Sequence, residues 1–281
     1  MLLLFLAVGD ALIKADTTYS PLLLVAVIAQ ASWYLNGTII NDLADIEIDK
    51  INLRNNDERP LANKKTSKKD MWKLYVLSMF FSIFTALIIH PIAALFACIA
   101  LFLNYAYSYP PLKISHRGLL ATVLLPVGYV GVPLALGLGI HDYNLTLGEI
   151  TIIAAFYFYF AGRIILKDYR DVIGDKKFGK KTFIVRYGNK RTALMSSVFL
   201  FIGSSMLVAA VWSINNALFI SLIVLFSIAI LRTLLELSRE KETWSQIIVV
   251  GVIGRLYNAI AVLVLLNLTL EIKESPDALT A

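Results

Sequence analysis

Apolar residues in this chain fall in long runs separated by short polar segments, and the run length is the first clue to the fold. A helix needs about 17–25 mainly apolar residues to cross a bilayer. Eight runs of that kind lie at roughly 20–41, 72–90, 92–109, 119–139, 148–167, 193–213, 216–237 and 246–269, with a shorter one over about 1–13. The shorter one carries Asp10 and reads as either a truncated span or an interfacial helix. The expectation is an all-α, polytopic membrane protein of about nine transmembrane helices, organised as a single domain over 1–281.

The polar segments give an orientation. Eight Lys and Arg follow the second run, from Lys50 to Lys73, and nine lie between Lys167 and Arg191. Lys113, Arg117, Arg232, Arg239 and Lys241 mark the same side, whereas the turns at His90–Pro91, His141–Asn144 and Ser213–Asn216 hold no Lys or Arg. Basic loops stay in the cytoplasm. Strict alternation then puts the N-terminus inside and the C-terminus outside. Composition agrees: 58% of residues are hydrophobic and 16% charged, with a mean hydropathy of +0.71, outside the soluble range. The net charge of +6 is accounted for by this one-sided placement and by attraction to the lipid bilayer's anionic headgroups. No basic surface interleaved with aromatics is visible, so no nucleic-acid partner is expected. Cys98, the single cysteine, excludes a disulfide within the chain and reads as a small buried hydrophobe. No cleavable signal peptide is evident, and Glu271–Ala281 reads as a short disordered end.

Two acid clusters change the picture from membrane protein to candidate enzyme. Asn41, Asp42, Asp45 and Asp49 end the second run, and Asp168, Asp171 and Asp175 end the sixth. Each acid of the second triad lies 126 residues after its counterpart, and a lysine (Lys50, Lys176) follows each triad. On a continuing helix, positions i, i+3 and i+7, or i, i+4 and i+8, share a face. Carboxylates held that close repel, and at the C-terminal end of a helix the dipole disfavours them further. A cation relieves both penalties. The offset crosses an even number of spans, so both triads end helices of the same direction. Two parallel four-helix halves, roughly 20–139 and 148–269, plus an N-terminal helix around a central cavity are expected. Hard oxygen ligands without a His or Cys cluster select Mg²⁺ or a similar ion, and Mg²⁺ is held by few carboxylates together with phosphates. Arg59, Lys113, Arg163, Lys167 and Arg170 are candidates to bind the phosphates.

Asn41-Asp-x-x-Asp45-x-x-x-Asp49 with Arg59-Pro60-Leu61-Ala62, and Lys167-Asp168-Tyr-Arg-Asp171-Val-Ile-Gly174-Asp175 with Gly179 and Tyr187-Gly188, resemble the two motifs of UbiA-type intramembrane prenyltransferases. Tyr107-Ser-Tyr109-Pro-Pro-Leu-Lys113 resembles that family's loop after its fourth helix. The resemblance covers nearly the whole chain. It implies nine helices around a central cavity, Mg²⁺ held through the acids, a polyprenyl diphosphate donor and an aromatic or polar lipid-precursor acceptor. Asp42, Asp45, Asp49, Asp171 and Asp175 match by position, and Asp168 matches the acid after the family's lysine. Where the family often has Arg-Glu, this chain has Arg163-Ile164. The wording of 45–52 looks closer to the branch containing homogentisate, chlorophyll and archaeal glycerol-lipid enzymes. Tyr105, Tyr107, Tyr109 and the stretch Tyr157–Phe160 are candidates to stabilise an allylic cation.

Other classes compete. Pro126, Pro133 and glycines break the fifth run in the way a transporter or channel would, but no equivalent break appears four runs later. A non-catalytic scaffold carrying relic motifs is the second rival. Arg255 and Asn258 lie inside the last run, where Arg255 has a functional or a snorkelling reading. His90, His116 and His141 have no ligand partner at useful spacing and receive no chemistry.

Overall fold

The structure is a computed structural model describing residues 2–13, 20–52, 60–141, 145–212 and 217–274. Its elements are α1 (Leu2–Ile13), α2 (Leu22–Ala44), α3 (Ile46–Asn52), α4 (Lys68–Ile89), α5 (Pro91–Ser108), α6 (Leu119–Pro126), α7 (Val132–Leu138), α8 (Leu147–Ile164), α9 (Val172–Lys177), α10 (Phe183–Trp212), α11 (Ala217–Arg239) and α12 (Thr243–Glu274). Among the described residues there is no strand.

Among the described residues eight helices are long and apolar enough to cross a membrane, with α6 and α7 forming one of them across a π-helical stretch at Val127–Gly131. With the short α1 these make up the about nine helices expected. The 12 residues of α1 rise only about 18 Å at 1.5 Å each, against about 30 Å of hydrocarbon. Outward faces carry Leu24, Phe80, Phe84, Leu95, Phe102, Phe201 and Leu225, all exposed, as helices facing lipid require. The chain is an integral membrane protein. Cys98 is exposed on this outward surface rather than buried.

Polar residues start the spans. Ser67 caps α4 by accepting from the Asp70 N–H at 3.1 Å, and Thr146 with Glu149 forms a capping box on α8. His90 has a structural role: its Nδ1 accepts from the Ile92 N–H at 3.1 Å, ahead of Pro91 at the first position of α5. Such caps satisfy N–H groups that have no partner inside the helix.

One apolar cluster joins α1, α7, α8, α10, α11 and α12, and a second joins α1, α2, α4, α5 and α7. Helix α1 bridges the two by packing on α7 and α12. The approach to α7 needs Gly9 and Gly137. A Cβ on Gly9 would lie 2.6 Å from the Leu134 carbonyl oxygen, and one on Gly137 would strike the Leu6 carbonyl. Small residues let membrane helices approach this closely. The contact ends in a pair between Asp10 and His141 Nε2 at 3.0 Å, which gives both residues a structural part. Gly137→Val should cost about 3 kcal/mol or more, the upper range for overpacking. Thermal unfolding in detergent checks it, with Gly251→Ala as control, since a Cβ there meets nothing within 4 Å. Equal melting of the two variants would contradict the packing.

Candidate active site

The two acid clusters face each other across one cavity of about 300 Å³. Its wall from α2 and α3 is Tyr34, Gly37, Thr38, Asn41, Asp45, Ile48 and Asp49. These positions share a helical face at steps of three and four. Asp42 is one residue round from Asn41, is buried at 4% exposure and does not line the cavity. Of the four residues that the spacing puts on one face, Asn41, Asp45 and Asp49 line the cavity and Asp42 does not. Nor is the helix continuous, because Asp45 has φ −107° and ψ 19° and separates α2 from α3. Asp171, 126 residues later, has φ −102° and ψ 1° and starts α9 in the same way.

From the second motif, Ile164, Lys167, Arg170, Asp171 and Asp175 line the cavity. Asp168 does not; it is paired with Lys167. Lys167 Nζ also lies over the Tyr107 ring, 5.8 Å from its centroid. Arg170 Nε is 3.2 Å from Asp171 Oδ1, half exposed to solvent.

Lys180, absent from the candidates read from the acids, joins the two motifs. Its Nζ lies 2.8 Å from Asp45 Oδ2 and 3.6 Å from Asp175 Oδ1. The signal for it is Gly179. That residue sits at φ +68°, which glycine adopts without a Cβ penalty. The Gly179 N–H donates to the Lys176 carbonyl and the Lys180 N–H to the Asp175 carbonyl at 2.8 Å. This paired closure of α9 reverses the chain and carries Lys180 back over the acids. Burial disfavours the charged form of Lys180, but Tyr107, Asp45 and Asp175 hold its pKa above the ordinary lysine value.

Several candidates do not line the cavity. Arg163 lies against the Phe160 ring at 5.9 Å and beside Gly254 of α12. It is one position round the helix from Ile164, so it leaves the cavity face. Lys113, at φ +39°, starts the turn Ile114–His116 and does not line the cavity. Arg59 lies outside the described residues. Tyr105 and Tyr109 stack on each other at 5.5 Å, with Tyr109 against Trp72, on the outward side of α5. The Tyr159 hydroxyl is taken up by Ser204 and Ser227, and Tyr157 donates to the Val123 carbonyl. Arg255 is exposed on α12, and neither it nor Asn258 lines the cavity. His116 lies near the Asp45–Lys180 pair, its pKa lowered by burial and by Lys113 and Lys180.

Tyr107 does line the cavity, joined by Tyr34 and Tyr129. Tyr129 stands on the π-helical stretch between Pro126 and Pro133, stacked on Phe160 at 5.3 Å and edge-on to Trp33 at 5.4 Å. π-helical turns commonly re-aim side chains at sites. The proline break of the fifth run was the available signal for it.

Among the described residues no three acids, His or Cys already converge on one point. The donor set still fits Mg²⁺, which uses one or two carboxylates completed by phosphates and water. Both Asp175 oxygens are buried and lack a hydrogen-bond partner. Four carboxylates (Asp45, Asp49, Asp171, Asp175) face three cations (Lys167, Arg170, Lys180) in the cavity. A diphosphate alone would meet no net positive charge there, which a divalent metal would supply.

Residues 2–253 match the UbiA prenyltransferase family. The chain belongs to that family. Digeranylgeranylglyceryl phosphate synthase of Pyrococcus horikoshii is 31% identical over 166 residues, 59% of this chain and 57% of that one. The bacteriochlorophyll synthase 34 kDa chain of Chloroflexus aurantiacus is 27% identical over 158 residues, 56% of this chain and 49% of the other. The match thus spans less than two thirds of these relatives' own length. A UbiA homologue from Archaeoglobus fulgidus bound to DMAPP and Mg²⁺ superposes with a TM-score of 0.70 at 21% identity, over 94% of each chain. An apo homologue from Aeropyrum pernix gives 0.71 at 16%, over 96% of this chain and 97% of that one. At these identities the likeness is one of fold.

Asp175 gives the UbiA-family site a pH dependence. Burial, then Asp168 and Asp171, push its pKa from 3.8 to about 7 against the pull of Lys180 and Lys167. The folded protein therefore holds this proton up to about pH 7, and the group's contribution to stability falls as pH rises from about 4 to about 7. A metal must displace the same proton. Mn²⁺ affinity, read by electron paramagnetic resonance, should be about tenfold tighter at pH 8 than at pH 6. A change below twofold would contradict the assignment.

Proposed function

We propose that this chain is an Mg²⁺-dependent intramembrane prenyltransferase, moving an isoprenyl group from a polyprenyl diphosphate to an acceptor and releasing diphosphate. The observation that carries it is the convergence of both acidic motifs, three cations and three tyrosines on one cavity. Asn41, Asp45, Asp49, Asp171 and Asp175 would hold the metal, and Lys167 and Arg170 the diphosphate. Bound Mg²⁺ would supply a Lewis acid that draws charge from the departing diphosphate. Lys167 and Arg170 stabilise the same charge, gaining strength as the C–O bond lengthens. The faces of Tyr34, Tyr107 and Tyr129 stabilise the allylic cation, and the apolar wall of Ile48, Leu125 and Ile164 excludes water. The named relatives support a glyceryl phosphate lipid as acceptor over an aromatic one.

The experiment is a mass-spectrometric acceptor screen of membranes supplied with one long prenyl diphosphate. A prenylated glyceryl phosphate product supports the reading, an aromatic product moves the acceptor assignment, and no product with any acceptor removes it. The basic loops further support cytoplasmic acid motifs and, seven crossings after α2, a C-terminus outside; an N-terminus inside requires α1 to cross as well. In a Cys98→Ala background, cysteines at Lys65 and Lys181 should react with impermeant reagent from the cytoplasmic side, and one at Asn144 from the other. Labelling of all three from one side would overturn the orientation.

A further inference from the structure

Lys180 is 6% exposed and touches one acid of each motif, yet the two contacts differ. At 2.8 Å from Asp45 Oδ2 the ammonium makes a hydrogen-bonded ion pair, whereas at 3.6 Å from Asp175 Oδ1 it gives charge without a hydrogen bond. Both Asp175 oxygens keep open lone pairs. Two buried carboxylates with no cation between them would repel and stay desolvated without compensation. The backbone of Lys180 is fixed by the closure of α9 through its N–H to the Asp175 carbonyl. Its side chain is a point charge on a flexible four-carbon stem, so the ammonium can travel while the backbone stays.

We propose that Lys180 is a resident counter-cation, holding Asp45 and Asp175 together in the metal-free protein and yielding them to the metal as it shifts onto the diphosphate. The proposal rests on the reading of the cavity as an Mg²⁺–diphosphate site. Its consequence is that metal binds weakly on its own, because the displaced ammonium has no anion to go to. With diphosphate present it has one, and metal and donor bind cooperatively. Lys180 is here a positioning residue, and its signature lies in metal binding rather than turnover.

The test uses full-length protein in detergent at pH 8.5, without donor. Mn²⁺ binding is read by electron paramagnetic resonance and stability by thermal unfolding, for wild type, Lys180→Met and Lys180→Arg. Lys180→Met should bind Mn²⁺ about tenfold tighter than wild type, within the range usual for coupled ligands. Its metal-free form should melt below wild type and be restored by Mg²⁺, while Mg²⁺ alone barely moves the wild-type transition. Lys180→Arg should follow wild type in both readouts. If Lys180→Met unfolds when metal is removed, Mg²⁺ should prevent it; unfolding that Mg²⁺ does not prevent overturns the proposal. Equal Mn²⁺ affinity in Lys180→Met and wild type overturns it too. Absence of Mn²⁺ binding in all three proteins, even with saturating prenyl diphosphate, would instead remove the metal site itself.

Discussion

Asp45→Asn and Asp175→Asn should each lower prenyl transfer by about 10³-fold or more, since a bound metal contributes several kcal/mol of charge stabilisation and 1.36 kcal/mol is tenfold. The substitution keeps the side chain's size and removes its charge. At Asp45 it takes away the 2.8 Å partner of Lys180, and at Asp175 a carboxylate whose oxygens have no other partner. Asp42→Asn is the control, because Asp42 does not line the cavity, and it should lose tenfold at most. Membrane insertion must be checked alongside, as leaving a buried lysine half-paired destabilises the fold. Initial rates from radiolabelled donor decide it. An equal loss at position 42 would mean that the spacing of the motif, and not its cavity face, carries the function.

Lys167→Met should lower kcat/KM for the donor by about 10²–10³-fold, the scale of one lost preorganised donor to a developing anion. The residue is placed by Asp168 on one side and the Tyr107 ring on the other. Its ammonium is therefore oriented before substrate arrives, and little reorganisation is left for the transition state. Arg170 also lines the cavity, but its side chain is 49% exposed and already engaged by Asp171. Arg170→Ala should lose about tenfold, as solvent screens a charge in that position. The acceptor's KM should hardly move in either variant. Steady-state kinetics with donor and acceptor varied in turn check both. A Lys167→Met loss that falls wholly on the acceptor's KM would contradict the diphosphate assignment.

The helical architecture was legible because run length and basic loops are properties of single segments. The runs near 72–90, 92–109 and 119–139 correspond to helices at 68–89, 91–108 and 119–138. The first segment was less so, since its docking depends on Gly9 meeting Gly137, residues far apart in the chain. The acids were legible as a repeat, but the 42/45/49 and 41/45/49 faces differ by one position. The bend at Asp45 and the packing of α2 separate them, and spacing alone does not encode these. Lys113 and Arg163 sit near the motifs in sequence, yet the turn at Lys113 and the Phe160 contact of Arg163 take both out of the cavity. Lys180 was counted only among the basic loop residues. What distinguishes it is the left-handed turn at Gly179, a backbone event that charge counting does not register.

The most direct test of the account is release of inorganic diphosphate from a polyprenyl diphosphate by the purified protein with a glyceryl phosphate lipid, with and without Mg²⁺. The account predicts release that needs Mg²⁺, is abolished by chelator, and is lost in both Asp45→Asn and Asp175→Asn. Release that persists with chelator, or that survives loss of either acid, would contradict a single metal–diphosphate site shared by the two motifs.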